Sequence, residues 1–218
     1  MRTTRSNLLA IALLAAAAAP ARAADESPAF EVAKEKSELT VHVFKEGFLS
    51  GLGHDHTIRA TDFAATIRYD AADPARGSVE LTVQAGSLEV VDEGADADDR
   101  AAVEKNMDAE VLEVEDHPRI VFRSRKVEVL DTLAGGHVLR VSGDLSLHGK
   151  TRRIRLDVTL TRADGELTAK GSVRLLQTDY DIEPYSAFLG AVKVKDEIEL
   201  AFTLRAAPAA AKKSGEGS

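Results

Sequence analysis

Cysteine is absent from this chain of 218 residues. The absence excludes disulfide bonds, a catalytic thiolate and a lipid anchor attached through cysteine. Exported proteins can form disulfides, so a chain that has none must hold its fold by burying apolar side chains alone. A domain of about 200 residues can bury enough surface to do so without a covalent cross-link.

Basic residues are in the minority: 28 lysines and arginines stand against 36 aspartates and glutamates, for a formal net charge of −8. Residues 1–23 contain three arginines and no acidic residue, so the rest of the chain carries −11. A strongly acidic domain repels the phosphate backbone of nucleic acids. The composition therefore argues against a nucleic-acid partner.

Long apolar runs are also lacking. The N-terminal run, Leu8–Ala19, has twelve residues, fewer than the roughly 20 that a membrane-spanning helix needs. Arg2 and Arg5 precede it, and the small-residue site Ala21-Arg22-Ala23 follows it. This tripartite pattern is typical of a cleaved signal peptide. We therefore predict that residues 1–23 are a signal peptide, rather than a retained membrane anchor, and that the mature protein is periplasmic.

Motifs of common catalytic sites are missing as well. The chain contains no G-x-S-x-G elbow, no S-x-x-K and no H-E-x-x-H. Gly51-Leu52-Gly53 lacks the third glycine of a dinucleotide-binding fingerprint. Asp55 is adjacent to His54 and His56, where it is badly placed to orient either ring along a strand. We therefore predict that the protein is not an enzyme.

The sequence is rich in alternation of apolar and polar residues, the period of a half-buried strand. Every even position of 197–204 and of 153–160 is apolar. Further strands are predicted at 39–44, 57–69, 78–84, 119–130, 139–147 and 166–176. The connections 148–151 and 163–165 contain turn residues typical of hairpins. The pattern predicts an all-β domain of antiparallel strands with one face in water.

One region departs from this alternation. Residues 96–107 read DADDRAAVEKNM. Asp96 or Asp98 can cap a helix start, and Val103 and Met107 can belong to one apolar stripe. We predict a short α-helix here that packs on or over the sheet.

The C-terminal segment 206–218 has a different composition from the rest. It is rich in alanine, proline, lysine, glycine and serine and shows no packing pattern. We predict a disordered tail there. Since no internal repeat is present, residues 25–205 are predicted to form one domain.

The segment GLGHDHTI (51–58) contains two of the six histidines. In an extended segment His54 and His56 point to the same side, because the strand period is two. Two imidazoles can share a metal ion such as Zn²⁺ if a third ligand is available. Candidates for that ligand are His42, His117 and His148. We favour contact with a ligand head group at a cavity mouth, or the polarity of a turn, over metal binding.

Six segments occur in an order that is specific as a set. They are GHDHTI (53–58), YDAADPARGSVELTVQAGSLEV (69–90), EVEDHPRIVFRS (113–124), VSGDLSLHGKTR (141–152), LLQTDYDIEP (175–184) and LGAVKVKDEIELAFTL (189–204). The set resembles the YceI-like family of polyisoprenoid-binding periplasmic proteins. Asp181 stands where the family often has glycine, and Leu176-Gln177 where it often has arginine.

The resemblance implies an extended, lipocalin-like antiparallel β-barrel of eight strands with one short α-helix, enclosing an apolar cavity. It implies that the protein binds a long isoprenoid or quinone-like lipid as a carrier, with no cofactor besides that lipid. A filled barrel gives the same alternation, so a stress-related structural domain is an alternative function. A metal-binding protein using His54 and His56 is another. Transient membrane contact and a homodimer are left open.

Candidate ligand-binding residues lie on the predicted inward faces and near the predicted ends of the barrel. The inward-facing candidates are Phe122, Leu139, Val141, Leu156 and Phe202. The candidates near the ends are His54, His56, Gln177, Tyr180 and Tyr185. The tyrosines are included because a ring with a polar tip suits the head group of a lipid.

Overall fold

The computed structural model describes residues 27–46, 55–92, 95–187 and 192–210. These residues contain twelve β-strands. The strands are β1 (Ala29–Val32), β2 (Glu38–Glu46), β3 (His56–Ala60), β4 (Phe63–Arg68), β5 (Ser78–Gln84), β6 (Leu88–Val90), β7 (Arg119–Leu133), β8 (Gly136–Leu147), β9 (Lys150–Ala163), β10 (Glu166–Leu176), β11 (Ser186–Ala187) and β12 (Val192–Pro208). In the same residues one α-helix, α1 (Ala97–Asn106), precedes β7 and runs into a π-helical turn, Met107–Val111. The predicted all-β architecture with one short helix is confirmed.

Eight of the strands form a closed antiparallel barrel. The order around the ring is β1-β4-β5-β7-β8-β9-β10-β12, and β12 pairs with β1 to close it. This closure sets Phe30 opposite Pro208. Side chains alternate between the two faces of each strand, so that Leu139, Val141 and Leu145 of β8 are all buried in the interior. The predicted eight-stranded, lipocalin-like barrel is confirmed.

In the N-terminal part of the chain, short breaks separate β1 from β2, β3 from β4 and β5 from β6. The prediction of one continuous strand over 57–69 is wrong, because β3 and β4 are separated at Thr61 and Asp62. The Thr61 hydroxyl donates to the Ser87 carbonyl at 2.9 Å, and the Asp62 N–H donates to Ser87 Oγ at 3.0 Å. Ser87 lies in a 3-10 turn between β5 and β6, and a similar turn, Lys34–Lys36, separates β1 from β2. These three breaks lie side by side in adjacent strands.

The breaks divide the wall into two levels. On one side β1, β4 and β5 belong to the closed ring; on the other side β2, β3 and β6 form a sheet that continues from β12. Helix α1 covers β6 at the edge of this sheet, because Glu104 Oε1 accepts a hydrogen bond from the Val90 N–H at 2.8 Å. Met107 packs with Ile58 and Val90 beneath it. Covering the edge protects its free backbone groups from pairing with another chain.

Helix α1 begins where the sequence predicts. Asp96 is its N-cap, and the Asp96 side chain accepts a hydrogen bond from the Asp99 N–H at 2.8 Å. Val103 and Met107 are the apolar residues that the helical region packs against the sheet. Among the described residues, no helix has both the length and the apolar character that crossing a membrane requires.

The C-terminal end of the fold lies further along the chain than predicted. Ala206, the predicted start of the tail, pairs with both Leu167 and Val32 and is 1% exposed. Strand β12 ends only at Pro208. The predicted signal peptide, residues 1–23, and the tail beyond residue 210 lie outside the described residues.

Candidate ligand-binding site

The interior of the ring holds an apolar cavity of about 110 Å³, which we call the lower chamber. Its wall is made almost wholly of carbon atoms from the inward faces of the ring strands. The predicted ligand-binding residues that line it are Phe122, Leu139, Val141, Leu156 and Phe202. An aliphatic chain that entered this space would leave water with a gain of roughly 25 cal/mol per Å² of buried apolar area.

Two phenylalanine rings of this wall owe their positions to glycines in neighbouring strands. A Cβ added at Gly143 would lie 2.5 Å from Phe122 Cζ, and one added at Gly171 would lie 2.8 Å from Phe202 Cζ. Both distances are far below van der Waals contact, so each ring lies against bare backbone of the adjacent strand. The glycines therefore make the room that the two rings occupy.

A second cavity of about 200 Å³, the upper chamber, adjoins the first. Leu145 and Leu200 line both chambers. Most of the upper wall is apolar, but His56, Asn106 and Gln177 also line it. The polarity of the interior therefore rises from the ring toward the sheet of β2, β3 and β6.

A polar cleft of about 990 Å³, which we call the mouth, lies beyond the upper chamber. The residues that line both spaces are His56, Val103, Asn106 and Tyr185. The charged residues of the mouth are Lys45, Asp55, Asp92, Asp96, Asp99 and Arg100. The three spaces thus run in series from a polar opening to an apolar interior, an arrangement that matches the shape of an amphiphile.

His56 stands at the boundary between the mouth and the upper chamber. Its Nδ1 lies 2.6 Å from Asp92 Oδ2, and Asp92 Oδ1 accepts a hydrogen bond from the Thr57 N–H at 2.7 Å. Because a carboxylate only accepts, Nδ1 carries the proton, and Nε2 is left for another partner. Asp92 therefore fixes both the orientation and the tautomer of the ring.

The described residues considered with His56 make no contact with its ring. His54 falls outside the described residues. Asp55 Oδ1 accepts a hydrogen bond from the Lys45 N–H at 2.9 Å, so this carboxylate orients β2 rather than an imidazole. His42 pairs with Thr57 across β2 and β3 and therefore lies on the face of the sheet opposite to His56.

His117 and His148, the two remaining candidates for a third ligand, are brought together with each other rather than with His56. Their ring centroids are 4.6 Å apart, and Glu113 lies beside both. Among the described residues, His56, His42 and the pair His117–His148 therefore occupy three different places in the fold.

The three predicted residues near the C-terminal half of the barrel have different environments. Gln177 is buried and its Nε2 donates to the Lys195 carbonyl at 2.8 Å, which aligns its amide along the wall of the upper chamber. Tyr185 is 38% exposed and borders both the upper chamber and the mouth.

Tyr180, the third of these residues, is packed in the core and is absent from the residues that line the two chambers and the mouth. Burial, with a smaller contribution from Asp179, raises the pKa of its hydroxyl to about 12.

Sequence reasoning did not identify Asp92 or Asn106 as site residues. Asp92 belongs to an acidic stretch that is indistinguishable in sequence from a solvated loop, and its partner His56 is 36 positions away. Asn106 ends α1, whose position on the sheet depends on contacts with β6. The predicted helix on or over the sheet is the signal that could have drawn attention to both residues, had the cavity mouth been placed beside it.

The closed antiparallel barrel with an apolar interior and a polar mouth places this protein in the lipocalin-like class of barrels. Within that class the chain belongs to the YceI-like family, since the model of the YceI-like domain matches residues 30–206. The resemblance noted in the sequence is thereby confirmed. No curated protein matches the chain by sequence.

Solved structures share the fold at low sequence identity. BcnA from Burkholderia cenocepacia is 19% identical with a TM-score of 0.63, and the match covers 80% of this chain and 98% of that one. A polyisoprenoid binding domain from Saccharophagus degradans is 15% identical with a TM-score of 0.59, covering 84% and 100%. The YceI protein of Campylobacter jejuni is 13% identical with a TM-score of 0.52, covering 68% and 82%.

Proposed function

We propose that this protein binds an amphiphilic isoprenoid or quinone-like lipid and acts as a carrier or reservoir, without catalysing a reaction. The tail lies in the two chambers and the head group lies at the mouth. The series of two apolar spaces opening on a polar cleft is the observation that carries this proposal. The description of the similar S. degradans domain as polyisoprenoid-binding supports it. The chambers also favour a hollow barrel over the filled barrel of a purely structural domain.

The length of the interior suits a long, slender tail. Strand β12 contributes Val194 to the upper chamber and Leu204 to the lower one. The strand between them rises about 33 Å, which a tilt of about 40° reduces to about 25 Å along the barrel axis. An eight-stranded barrel has room for one narrow ligand. A single extended tail fits these dimensions better than a compact molecule.

The charge of the mouth favours an uncharged head group. Four aspartates face only two basic residues there, Lys45 and Arg100. A phosphate or diphosphate would be repelled by this surplus of negative charge. A hydroxyl or a quinone carbonyl is a better match for His56, because Nε2 accepts a hydrogen bond in the neutral ring and donates one in the protonated ring.

Binding can be tested at the junction between the chambers. We expect Leu200→Trp to block the lower chamber, so that a benzoquinone with a long isoprenoid tail binds weakly while the same head group with a short tail still binds. Val129→Trp is the matched control, because Val129 is 42% exposed. Native mass spectrometry of each purified variant, with and without the added quinones, measures how much of the long-tail and of the short-tail quinone is bound.

Failure of the unaltered protein to carry any co-purified lipid and to bind the added long-tail quinone would contradict the proposal. Equal binding of the long-tail quinone by Leu200→Trp and Val129→Trp would show that the tail does not occupy the chambers.

Export to the periplasm belongs to the same proposal and rests on the pattern of residues 1–23. We expect the full chain to appear in the periplasmic fraction of cells and a chain lacking residues 2–23 to stay in the cytoplasm. Retention of the full chain in the cytoplasm would remove the periplasmic location while leaving the lipid ligand to be tested separately.

A further inference from the structure

Three side chains of types that can ligate a metal ion cluster apart from the mouth, at the end of the barrel where the β8–β9 hairpin turns. Glu113 and His117 belong to the loop before β7, and His148 is in the hairpin turn. One ligand atom of each residue lies within 4.8 Å of the others. Glu113 Oε2 is 3.1 Å from His148 Nε2 and 3.9 Å from His117 Nε2.

The hydrogen bonding of His148 orients this cluster. Its Nδ1 lies 3.1 Å from the carbonyl oxygen of Tyr180, and its Nε2 faces the Glu113 carboxylate. Since a carbonyl only accepts, Nδ1 carries the proton, and the Nε2 lone pair of the neutral ring points at a second acceptor. Either a proton on Nε2 or a metal cation shared by the two groups satisfies this contact. A backbone carbonyl behind a histidine is also the usual support for a ring that ligates metal.

The hairpin turn does not itself require a histidine. His148 and Gly149 have φ of 49° and 70°, and the next hairpin, β9–β10, has the same geometry at Asp164 and Gly165 with φ of 50° and 83°. Asn and Asp are the residues preferred before glycine in such turns. The imidazole at 148 is therefore unexplained by the turn that holds it.

The backbone around the cluster accommodates the second imidazole. A Cβ added at Gly149 would lie 2.9 Å from His117 Cε1, so the His117 ring lies directly on the hairpin backbone. Glu113 adopts φ of 47°, a left-handed conformation that is uncommon for a glutamate and that marks many functional sites. Its side chain is 52% exposed, which leaves the cluster accessible from solvent.

We propose that Glu113, His117 and His148 bind a divalent transition-metal ion, with Zn²⁺ the best match. Two imidazoles and one carboxylate are a common protein ligand set for zinc, with ligand distances of about 2.0–2.2 Å. Tetrahedral coordination then places ligand atoms about 3.4 Å apart, close to the two separations observed here. The fourth position is open to water. This inference does not rest on the lipid ligand, although Leu112 and Leu147, which precede two of the ligands, line the upper chamber.

Titration of Zn²⁺ into the chelator-treated protein, in competition with a chromogenic chelator, tests the site. We expect one saturable site per chain, and His148→Asn should weaken it at least about 100-fold, since loss of a mere supporting residue costs 10–100-fold. Asn suits the turn, so the variant should keep its fold and unfolding temperature without metal. His117→Gln, in the loop, is a second variant should His148→Asn fold poorly. His56→Asn is the control, because it removes an imidazole at the mouth and should leave zinc affinity unchanged.

Substitution with Co²⁺ gives an independent readout, since tetrahedral coordination by nitrogen and oxygen produces strong visible absorption that His148→Asn should abolish. The proposal is overturned if the unaltered protein shows no saturable site. It is also overturned if His148→Asn and His117→Gln bind zinc as tightly as the unaltered protein, or if His56→Asn alone abolishes binding.

Discussion

The lower chamber and the mouth are built by different kinds of interaction. The wall of the chamber is repetitive, since every second residue of long paired strands contributes an apolar side chain. The mouth depends on a few single contacts between distant segments, such as His56 with Asp92 and Glu104 with Val90. Substitutions in the chamber should therefore mainly lower the free energy of unfolding, whereas substitutions at the mouth should mainly lower the affinity for the ligand.

The largest effect is expected from Phe122→Ala in the lower chamber. Phe122 is 7% exposed and its ring lies against Gly143. Removing a buried phenylalanine ring typically costs about 3–5 kcal/mol; we expect about 3 kcal/mol here, because the ring already borders a cavity. Urea unfolding measures the free energy of unfolding. Val129→Ala, on an exposed position, should change it by less than about 0.5 kcal/mol. Equal values for the two variants would show that the ring does not belong to the core.

A smaller loss of stability, with a clear loss of binding, is expected from Asp92→Asn at the mouth. Asparagine keeps the shape, but its one acceptor oxygen cannot serve both His56 Nδ1 and the Thr57 N–H as the carboxylate does, which costs about 1.5 kcal/mol. We expect the affinity for a long-tail quinone to fall about 10-fold, because that free energy holds the ring in place. Titration of each protein with the long-tail quinone measures the affinity.

Asp99→Asn provides the control for Asp92→Asn. It removes the same charge from the mouth without touching the contact between His56 and Asp92. If both variants lose affinity equally, the charge of the mouth matters and the orientation of His56 does not.

The smallest effect, of opposite sign, is expected from Tyr180→Phe. The Tyr180 hydroxyl is buried without a hydrogen-bond partner among the described residues, so its removal should stabilise the protein by up to about 1 kcal/mol at neutral pH. Tyr185→Phe, at an exposed position, should leave stability unchanged. A large loss of stability in Tyr180→Phe would show that the hydroxyl has a partner, such as buried water or ligand.

The same variant changes the response to alkaline pH. Burial raises the pKa of Tyr180 to about 12 in the folded state. The folded protein therefore holds the proton more tightly than the unfolded chain, and this contribution to stability is complete below about pH 10 and is lost toward pH 12. Tyr180→Phe should reduce the alkaline fall in the free energy of unfolding but not abolish it, because burial also raises the pKa of Tyr69. An unchanged pH profile would contradict the assignment.

The repetitive part of the molecule could be predicted from the sequence, because alternation is local. The segments around Leu139 and Leu156 carry the strand period themselves, and their places in the lower chamber follow from it. The break at Thr61 and Asp62 could not be predicted, since it depends on hydrogen bonds to Ser87, about 25 positions away.

The same limit applies to the candidate sites. The sequence shows that His56, His117 and His148 are available. The packing of the loop before β7 on the β8–β9 hairpin places the last two beside Glu113, and the pairing of β3 with β6 places the first beside Asp92. Tyr180 is the converse case, since the sequence made it a candidate site residue and the structure places it in the core. An aromatic ring with a polar tip suits a lipid head group and a buried core equally well, and the packing of the 3-10 turn Gln177–Tyr180 decides which environment it has.

Strand β12 has a consequence for how this chain reaches its structure. It pairs with β10 along one edge and with β2 and then β1 along the other, so the first and last described strands meet. The ring cannot close until Val192–Pro208 has left the ribosome, and the pairing of Phe30 with Pro208 closes a loop that spans nearly the whole domain. Such non-local pairing makes folding slow and keeps apolar strands exposed while synthesis proceeds. The nascent chain therefore exposes apolar strand faces that favour aggregation until its last strand arrives.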